Sequence, residues 1–582
     1  MPNKHQEYTR KFDEFEAVTF DEWLQAFLVS VPKGASSISS AIDEVAFSAV
    51  NTEETVSLTE IESSLPSTPR TCALEVPLIN PFSATDLASL VQSGVTGLRG
   101  SEQSLEGIVR ALPDLGHPLR LLSLEAYRPE GQSVYAYLEY MRTASRSEAP
   151  LEGAIYLTST SLSSWKSDLH NIEAIAQLIR TSSGVPAVRT LTIPGHAFET
   201  LGSSVVDELA MTVSWLVAYY DALTDMGVSP EELLSQTEIT LSTGSDFFLD
   251  IAKFRTIRVL LDKVGEAYGT PDVFPKIRAA SGMRNKTGYD PDSNILRNTT
   301  EALAALLGGA NALSLLPHDF LYPSSGDFGQ RMVTHLYNIL QHEAHVGKVL
   351  DPVAGSYFIE DLTRQLVEKS WELFLNFENQ GGFKTLLQQD VIASRCRQHL
   401  SDQMKEVHRQ RRIAVGATRY TNTLEEVAVA FSKPTARFAE PYETIRQAMD
   451  QKASAGQQRP VLRLYIQQDA ASTALINQRA NYIRDLLTSV GFAWQEIPLL
   501  NTQDYSPALE SPTYRLGTVF CGTDAFYEST VVSFLKAHPS GNELFWVAGG
   551  NAALEEMIRQ VGGDGILGIG HDVIAHLEQL IK

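Results

Sequence analysis

The sequence has few cysteines and a deficit of basic residues. Cys72, Cys396 and Cys521 are the only 3 cysteines in 582 residues, and their separation offers neither a disulfide framework nor metal-ligand spacing. Lysines and arginines number 47 against 70 aspartates and glutamates, which gives a formal net charge of −23. Because nucleic-acid backbones are bound by basic patches, this balance argues against DNA or RNA as a partner.

Signal-peptide and membrane-spanning patterns are also missing. The charged N-terminus has no apolar run of the signal-peptide kind. The most apolar stretch, residues 302–316, contains Gly308, Gly309 and Asn311 and is shorter than the ~20 residues of a membrane helix; its pattern predicts a helix, a loop and a buried strand. A reducing compartment is the simplest setting for so few cysteines. We therefore expect a soluble, cytoplasmic protein that binds no membrane.

Alternating strand and helix patterns begin near residue 75. Helical patterns cover residues 162–181, 205–226, 247–268 and 291–307. Short aliphatic and β-branched runs between them predict eight strands, at residues 76–79, 94–98, 120–125, 153–158, 188–193, 238–242, 276–280 and 312–315. Eight strands alternating with helices predict an α/β fold of the (β/α)₈ TIM-barrel type.

The sequence predicts four parts. Residues 1–70 form a helical arm with an apolar stripe, which packs either on its own chain or around a partner subunit. The barrel occupies residues 71–390 and a helical linker residues 391–458, with a polar connector around residues 446–459. In residues 459–582 strands and helices alternate again, which predicts a small doubly wound, flavodoxin-like domain.

Several segments resemble the methylmalonyl-CoA mutase family. They are residues 193–214 (IPGHAFETLGSSVVDELAMTVS), 243–260 (TGSDFFLDIAKFRTIRVL), 298–305 (NTTEALAA) and 351–363 (DPVAGSYFIEDLT). Their order and patterns are similar to those of the family, and the resemblance covers about residues 75–582. It implies a barrel threaded by the coenzyme A tail and a C-terminal domain of the cobalamin-binding type. Membership alone does not imply activity.

The family's cobalamin motif is degenerate in this sequence. In its D-x-H-x-x-G loop the histidine ligates cobalt and the aspartate orients the imidazole. The matching residues are Ala474, Ile476 and Arg479 for this motif, Cys521 and Thr523 for the nucleotide-tail motif S-x-L, and Gly549 and Gly550 for a retained G-G. Isoleucine cannot ligate cobalt, and arginine fills space that glycine leaves open. We therefore expect no cofactor bound by this chain.

The barrel motif S-G-Y-H has changed as well. In the family its tyrosine lies near the radical centre and its histidine contacts the thioester carbonyl, whereas here these positions hold His196 and Ala197. Alanine can neither donate a proton nor polarise a carbonyl, so the catalytic histidine is lost at Ala197. A one-residue slip that places His196 in the catalytic position stays an alternative. His196 and Arg278, the retained arginine of the family's R-T-H-S-Q-T-S-G loop, are candidate substrate-binding residues.

Other polar residues favour structural interpretations. Arg284 and Lys286 would belong to a small-molecule site at the barrel mouth if one existed, but solvated loop charges are the favoured interpretation. His571 and His576 are five positions apart, which does not suit a metal pair on one helix face. With His538, they are expected to be capping or solvent-exposed residues, and no metal site is predicted.

The loss of both motifs predicts a catalytically silent chain. The resemblance is greatest to the small, non-catalytic subunit of the heterodimeric bacterial enzyme, an isomerase that interconverts methylmalonyl-CoA and succinyl-CoA by radical rearrangement. Its partner would be the large catalytic subunit, which would hold the adenosylcobalamin. The alternatives are an acyl-CoA mutase of altered specificity and a non-enzymatic small-molecule-binding paralogue. Whether the barrel axis is open or filled is left undecided.

Overall fold

A computed structural model gives the architecture of most of the chain. It describes residues 22, 25, 39–42, 45–48, 72–77, 84–112, 119–126, 129–144, 151–157, 172–185, 187–271, 273–323, 327–422, 425, 427, 431, 436–457, 459–499, 516–538 and 543–581. The apolar stripe of the predicted arm lies largely outside these residues. Within residues 1–70, β1 (Ser39–Ile42) and β2 (Val45–Ser48) form an antiparallel hairpin.

A nearly closed parallel barrel follows the hairpin. Its strands are β3 (Ala73–Pro77), β4 (Gly97–Ser101), β5 (Leu121–Ala126), β6 (Gly153–Leu157), β7 (Val188–Arg189), β8 (Leu191–Pro194), β9 (Thr237–Thr243), β10 (Lys276–Ser281) and β11 (Ala312–Ser314). Hydrogen-bonded neighbours run in the order β7-β6-β5-β4-β3-β11-β10-β9-β8. Because Thr190 alone separates β7 from β8, the two ends of this sheet meet. Each of the eight predicted strands has a counterpart here.

Helices follow the strands around the outside of the barrel. They are α1 (Ala84–Gln92), α2 (Leu105–Ala111), α3 (Gln132–Ala144), α4 (Ile172–Ser182), α5 (His196–Leu201), α6 (Val205–Thr224), α7 (Pro230–Ser235), α8 (Phe247–Ala267), α9 (Ser293–Leu307) and α10 (Asp327–Asn338). A capping box starts α6: the Ser204 hydroxyl accepts from the Asp207 amide at 3.0 Å, and the Asp207 carboxylate accepts from the Ser204 amide. In the described part of the chain, no helix is both long and apolar enough to cross a membrane.

A helical segment joins the barrel to a second sheet. After a π-helical turn (Ile339–Glu343) and a 3₁₀ turn (Val346–Lys348), it comprises α11 (Tyr357–Asn379), α12 (Gly382–Gln388), α13 (Val391–His408) and α14 (Glu440–Ser454). Phe374, Phe383 and Cys396 belong to the same buried apolar cluster as the barrel. The polar connector predicted around residues 446–459 is helical as far as Ser454, and α14 buries Met449 on one face.

The C-terminal sheet contains five parallel strands. They are β12 (Val461–Gln467), β13 (Ala493–Leu499), β14 (Leu516–Cys521), β15 (Glu543–Ala548) and β16 (Gly565–Leu567), in the spatial order β13-β12-β14-β15-β16. The helices are α15 (Thr473–Ser489), α16 (Asp524–Phe526), which continues through a π-helical turn (Tyr527–Val531) into α17 (Val532–Ala537), α18 (Ala552–Gln560) and α19 (Val573–Glu578). Separate apolar clusters pack on its two faces.

Candidate functional site

Buried charges occupy the axis of the barrel. The Arg278 guanidinium on β10 lies between two carboxylates, 3.0 Å from Glu75 on β3 and 2.7 Å from Glu238 on β9. Ser123 on β5 donates to Glu75 at 2.6 Å. The side chains of Arg278, Glu75 and Glu238 are 1%, 0% and 3% exposed. Alternation along the strands sends these side chains inward, since successive residues of a strand point to opposite faces.

Aromatic and basic groups extend this network toward the carboxyl ends of the strands. The Tyr156 hydroxyl donates to Glu238, and the guanidinium groups of Arg99 and Arg278 lie 5.3 and 5.4 Å from the centre of the Tyr156 ring. Arg99 also pairs with Glu125 at 3.1 Å. Burial by itself would raise the pKa of Glu238, but the charge and hydrogen bond of Arg278, with the Tyr156 hydrogen bond and the Lys276 charge, outweigh burial and lower the pKa. The barrel axis is therefore filled by an ionised network at the level of these residues.

The residues matching the family's catalytic motif lie at the start of α5. Ala197 is half-buried and its methyl group packs against the barrel core. The Nδ1 atom of His196 is buried and has no hydrogen-bond partner among the described residues. Burial, followed by the charges of Arg99 and Arg278 and opposed by Glu199, lowers the pKa of His196 to about 4. At neutral pH His196 is an uncharged imidazole beside two arginines.

This pKa predicts that stability falls as pH decreases from 6.5 to about 4. The unfolded chain protonates the imidazole near its ordinary pKa, whereas the folded chain takes the proton only at the lower value. The unfolded state therefore binds more protons in this window, and this group lowers the free energy of unfolding by up to ~3 kcal/mol. The free energy of unfolding, measured by urea titration at several pH values in this window, should depend less steeply on pH in His196→Gln than in the wild type.

His335→Gln, which alters an exposed histidine on α10, is the control. Its free energy of unfolding should depend on pH as steeply as that of the wild type. If the free energy of unfolding of His196→Gln depended on pH as steeply as that of the wild type, the buried, uncharged state of His196 would be contradicted.

A second buried cluster lies between α6, β9 and α8. Lys253 on α8 is 3.2 Å from both Glu208 and Asp250, and all three side chains are at most 4% exposed. Ser242 on β9 donates its hydroxyl to Glu208 at 2.7 Å. Burial raises the pKa of Glu208 and of Asp250, and Lys253 opposes both shifts. This cluster joins α6 and α8 to the barrel. Its charged residues lie in the family-like segments 193–214 and 243–260, but the sequence did not indicate that they contact one another.

The expectation that Arg284 and Lys286 are solvated loop charges is wrong. The Lys286 ammonium is 1% exposed and lies 2.6 Å from the buried Glu301 carboxylate on α9. Arg284 pairs with Glu199 at 3.0 Å and donates to the Ser203 carbonyl at 2.8 Å. Residues distant in sequence supply these partners, so the loop that follows β10 is held from several sides.

The residues matching the cobalt-ligand motif lie in a helix. Ala474 is exposed and Ile476 is 2% exposed, and both belong to the first turns of α15. The Ile476 side chain therefore points into the domain and offers no electron pair to a metal. Helical hydrogen bonding begins before the motif, since the Ile476 amide donates to the Ser472 carbonyl at 3.1 Å.

Arg479 fills the space next to the retained glycines. Its guanidinium donates to the Gly522 carbonyl and to the Asp524 carboxylate, both at 2.6 Å, and lies 5.4 Å from the centre of the Tyr527 ring. A Cβ added to Gly549 would lie 3.3 Å from the Arg479 Nε atom. The side chain thus bridges α15 and the ends of β14 and β15.

The residues that match S-x-L have structural partners. Cys521 is fully buried at the end of β14, and burial raises the pKa of its thiol to about 12. The Thr523 hydroxyl caps α16 by accepting from the Phe526 amide at 3.2 Å. Gly549 and Gly550 both adopt positive φ angles, 70° and 146°, which glycine accommodates without strain.

The domain's histidines were only partly anticipated. His571 pairs with Glu555 at 2.7 Å and His576 is buried at 5% exposure, so neither is the capping or exposed residue that was expected. His538 accepts or donates a hydrogen bond at the Phe534 carbonyl, 3.1 Å away. No group of three or more potential metal ligands was found in the described portion of the chain.

The residues present do not fit a base-off corrinoid. The ligand position holds the buried hydrocarbon Ile476, and the Arg479 side chain lies where the motif would have glycine. Fold and site together define a class of protein: a parallel barrel with a charged, filled axis, joined by helices to a parallel α/β domain that lacks a cobalt-ligating side chain at the matching position.

Comparison with known families supplies the particular group. The family model described as methylmalonyl-CoA mutase matches residues 161–484. This chain belongs to the methylmalonyl-CoA mutase family.

Several relatives carry the name of the small subunit. The probable methylmalonyl-CoA mutase small subunit of Mycobacterium tuberculosis (strain ATCC 25618 / H37Rv) is 30% identical over 393 residues, covering 66% of this chain and 63% of the relative. The small subunit of Porphyromonas gingivalis (strain ATCC BAA-308 / W83) is 35% identical over 250 residues, covering 41% and 40%. That of Streptomyces virginiae is 28% identical over 384 residues, covering 64% and 61%. The chain thus spans less than two thirds of the length of these relatives.

Proposed function

We propose that this chain is the catalytically silent small subunit of an adenosylcobalamin-dependent methylmalonyl-CoA mutase, which interconverts methylmalonyl-CoA and succinyl-CoA. One observation carries the proposal: Ile476 is buried at the cobalt-ligand position while Arg479 is anchored to Gly522 and Asp524 in the same region. Cobalt needs a lone pair that a hydrocarbon cannot supply. Moving Arg479 out of this region would leave the Gly522 carbonyl and the Asp524 carboxylate without its hydrogen bonds, which is unfavourable.

The barrel supports the same conclusion. A coenzyme A tail that threads a barrel needs an open axis, and here Arg278, Glu75 and Glu238 close it with charge-assisted contacts. Opening the axis would separate buried charges that stabilise one another, which is strongly unfavourable. The methyl group of Ala197 supplies neither acid–base nor electrostatic chemistry beside a thioester.

The strand orders support a finer description of the fold. Eight strand positions, with β7 and β8 counted as one, are those of a (β/α)₈ TIM barrel. The order β13-β12-β14-β15-β16 is 2-1-3-4-5, the order of doubly wound flavodoxin-like domains. We interpret the C-terminal domain as a cobalamin-binding-type domain that has lost its ligand.

The role would then be structural, in a cytoplasmic heterodimer. The relatives are named small subunits, which implies a larger partner, and the active site and the adenosylcobalamin would belong to that partner. A permanent heterodimer buries a large apolar interface, typically ~2,000 Å² or more. Stabilisation of the large subunit through such an interface requires no chemistry from this chain.

Cobalamin titration of the separate and combined chains tests this proposal. Aquocobalamin added to this chain alone should leave the corrinoid absorption spectrum unchanged. A mixture with the large subunit should elute as a 1:1 complex by size exclusion and should bind one cobalamin per heterodimer. The large subunit alone is the control for the spectral change expected on base-off binding.

A base-off spectrum with this chain alone would contradict the loss of the cofactor site and favour a mutase of altered specificity. Independent elution of the two chains would contradict the structural role.

A further inference from the structure

A segment between α13 and α14 presents basic and apolar side chains together. Residues 409–420, here called the strap, read RQRRIAVGATRY and contain four arginines and no acidic residue, in a chain of net charge −23. Positions 409, 411, 413 and 415 are exposed, whereas positions 410 and 414 are buried. The guanidinium groups of Arg409 and Arg411 lie 3.8 and 3.6 Å from the Glu406 carboxylate, beyond hydrogen-bond distance. One edge of the strap therefore presents two arginines followed by two aliphatic side chains.

The strap bridges the barrel and the C-terminal domain. On the barrel side, Arg297 on α9 donates to the Val415 carbonyl at 2.7 Å. On the other side, the Gly570 amide donates to the Arg409 carbonyl at 2.8 Å. These backbone contacts fix the strap in place while its outer edge stays exposed.

Left-handed backbone occurs near both ends of the strap. Gln410 and Tyr420 adopt φ angles of 57° and 55°, a conformation that costs energy for residues other than glycine. Tyr420 is also 71% exposed. Backbone strain of this kind concentrates at functional segments, and tyrosine and arginine are prominent among the side chains that dominate protein interfaces. The strap therefore has the composition and the backbone of a docking surface.

Exposed apolar side chains continue this surface beyond the strap. Leu296 and Ile569, which precede the two residues that bond its backbone, are 71% and 58% exposed. A cavity of about 450 Å³ lies beside the strap, and Leu475 and Ile569 line it together with Arg419. The Arg419 guanidinium is 5.3 Å from the centre of the Tyr482 ring, so this end of the strap packs on α15. Several large exposed apolar side chains in one region mark a binding surface.

The predicted N-terminal arm carries the complementary charge. Residues 12–28, FDEFEAVTFDEWLQAFL, contain five acidic and five aromatic residues and no basic residue. Of these residues the structure describes Glu22 and Gln25, both helical and exposed. An amphipathic acidic segment suits the strap, because its carboxylates match the arginines and its aromatic side chains match the aliphatic ones.

The hairpin places the arm within reach of the strap. β2 packs against α11, and the ring of Phe358 in the first turn of α11 is 5.3 Å from that of Phe248. Arg412 of the strap donates to the Ser245 hydroxyl, three positions before Phe248, at 3.1 Å. The first turn of α11 thus lies near the strap. Residues 29–38, which join the arm to β1, span up to ~35 Å when extended.

We propose that residues 12–28 dock on the strap of their own chain, with carboxylates on the arginines at positions 409 and 411 and aromatic side chains on Ile413, Val415 and Tyr420. Of the two positions that the sequence left open for the arm, on its own chain or around a partner, this is the first. The proposal goes beyond the proposed subunit role and does not depend on it.

Amide hydrogen exchange in the full-length chain tests this docking. Arg409→Glu combined with Arg411→Glu should speed exchange in residues 12–28 and 413–420 about fivefold, because two exposed ion pairs become repulsive. The arm variant that combines D13K, E14K and E16K should speed exchange in the same two segments. Joining the strap and arm substitutions in one chain should restore slow exchange, since opposite charges then face each other again. Such recovery would not follow from a loss of folding.

The matched control combines Arg397→Glu with Lys405→Glu. Both side chains lie on α13 and are 62% and 56% exposed, and their reversal should leave exchange in the strap unchanged. Wild-type exchange in the strap and arm variants, or no recovery when they are joined, would overturn the proposal. Slow exchange that depends on protein concentration would overturn it by assigning the strap to a second copy of the chain. Slow exchange that requires the large subunit would overturn it by assigning the strap to that partner.

Discussion

Arg278→Met is expected to lower the free energy of unfolding of the barrel by ~3–5 kcal/mol, the range for removing one partner of a buried ion pair. Methionine keeps much of the side-chain volume but removes the cation between Glu75 and Glu238, and among the described residues only the more distant Arg99, 3.7 Å from Glu75, remains near that carboxylate. Both carboxylates are almost inaccessible to water. Chemical denaturation followed by tryptophan fluorescence would measure the loss in the barrel transition.

The stability lost in Arg278→Met should also depend on pH, which gives a second test. In the wild type the pKa of Glu238 is lowered, so this carboxylate contributes stability above its unfolded pKa and loses it as pH falls through the folded pKa. Without Arg278, burial is expected to raise the pKa of Glu238 above its unfolded value, and stability then falls as pH rises. The difference between wild type and variant should therefore grow from acidic to neutral pH.

The control is Arg364→Met. Arg364 pairs with Asp361 and Glu368 on the surface of α11 at 43% side-chain exposure, and the loss of such a pair changes stability by less than ~1 kcal/mol. Adding Glu75→Gln to Arg278→Met should recover part of the loss, because it removes one uncompensated charge. An Arg278→Met variant as stable as the Arg364→Met control would show that the axis is not held by this ion-pair network.

Glu443→Ala is expected to have an effect of similar size on the junction between the barrel and the C-terminal domain. The Glu443 carboxylate on α14 accepts from the Gly288 amide at 2.6 Å and pairs with Arg437 at 2.6 Å. Both charged side chains are at most 3% exposed. Alanine would leave a buried guanidinium unpaired and a backbone amide unsatisfied, which together cost ~3–5 kcal/mol.

Other contacts of α14 connect this junction to the C-terminal domain. The Tyr289 hydroxyl donates to Asp450 at 2.6 Å, and Arg459 donates to Asp450 at 2.8 Å and to the Gly491 carbonyl at 3.2 Å. Weakening of the Glu443 contact should therefore increase amide hydrogen exchange in residues 286–290 and 437–450. It should also speed proteolytic cleavage between the barrel and the C-terminal domain.

A conservative variant and a control variant complete this test. Glu443→Gln keeps an acceptor for the Gly288 amide and should lose less stability than Glu443→Ala. Glu372→Ala removes an exposed glutamate of α11 and should leave hydrogen exchange at the junction unchanged. Wild-type exchange in Glu443→Ala would contradict the role of Glu443 in fixing the junction.

Much of the fold was predictable from local patterns. Buried parallel strands require continuous aliphatic runs, and helices require apolar residues at helical spacing, so both kinds of element were found from the sequence. The first two barrel strands are displaced from their predicted ranges. β4 begins at Gly97 rather than residue 94 because Gly94 adopts a positive φ of 104° in the turn before it.

The candidate sites were predictable in part. Motif spacing along the chain was enough to place Ala197, Ile476 and Arg479 at the motif positions. It did not indicate the environment of Lys286, whose partner Glu301 lies on the next helix. Nor did it reveal the proximity of Arg419 and Tyr482, which belong to different parts of the chain.

The sequence by itself determined the order of strands and helices, the family and the residue types at the degenerate motifs, because each depends on pattern or position along the chain. Only the tertiary structure decided that the barrel axis is filled, that Arg479 occupies the vacated region and that a cavity remains beside it. These features depend on side chains from separate elements meeting in space, where burial strengthens their charge interactions. No pattern within a single segment specifies such meetings.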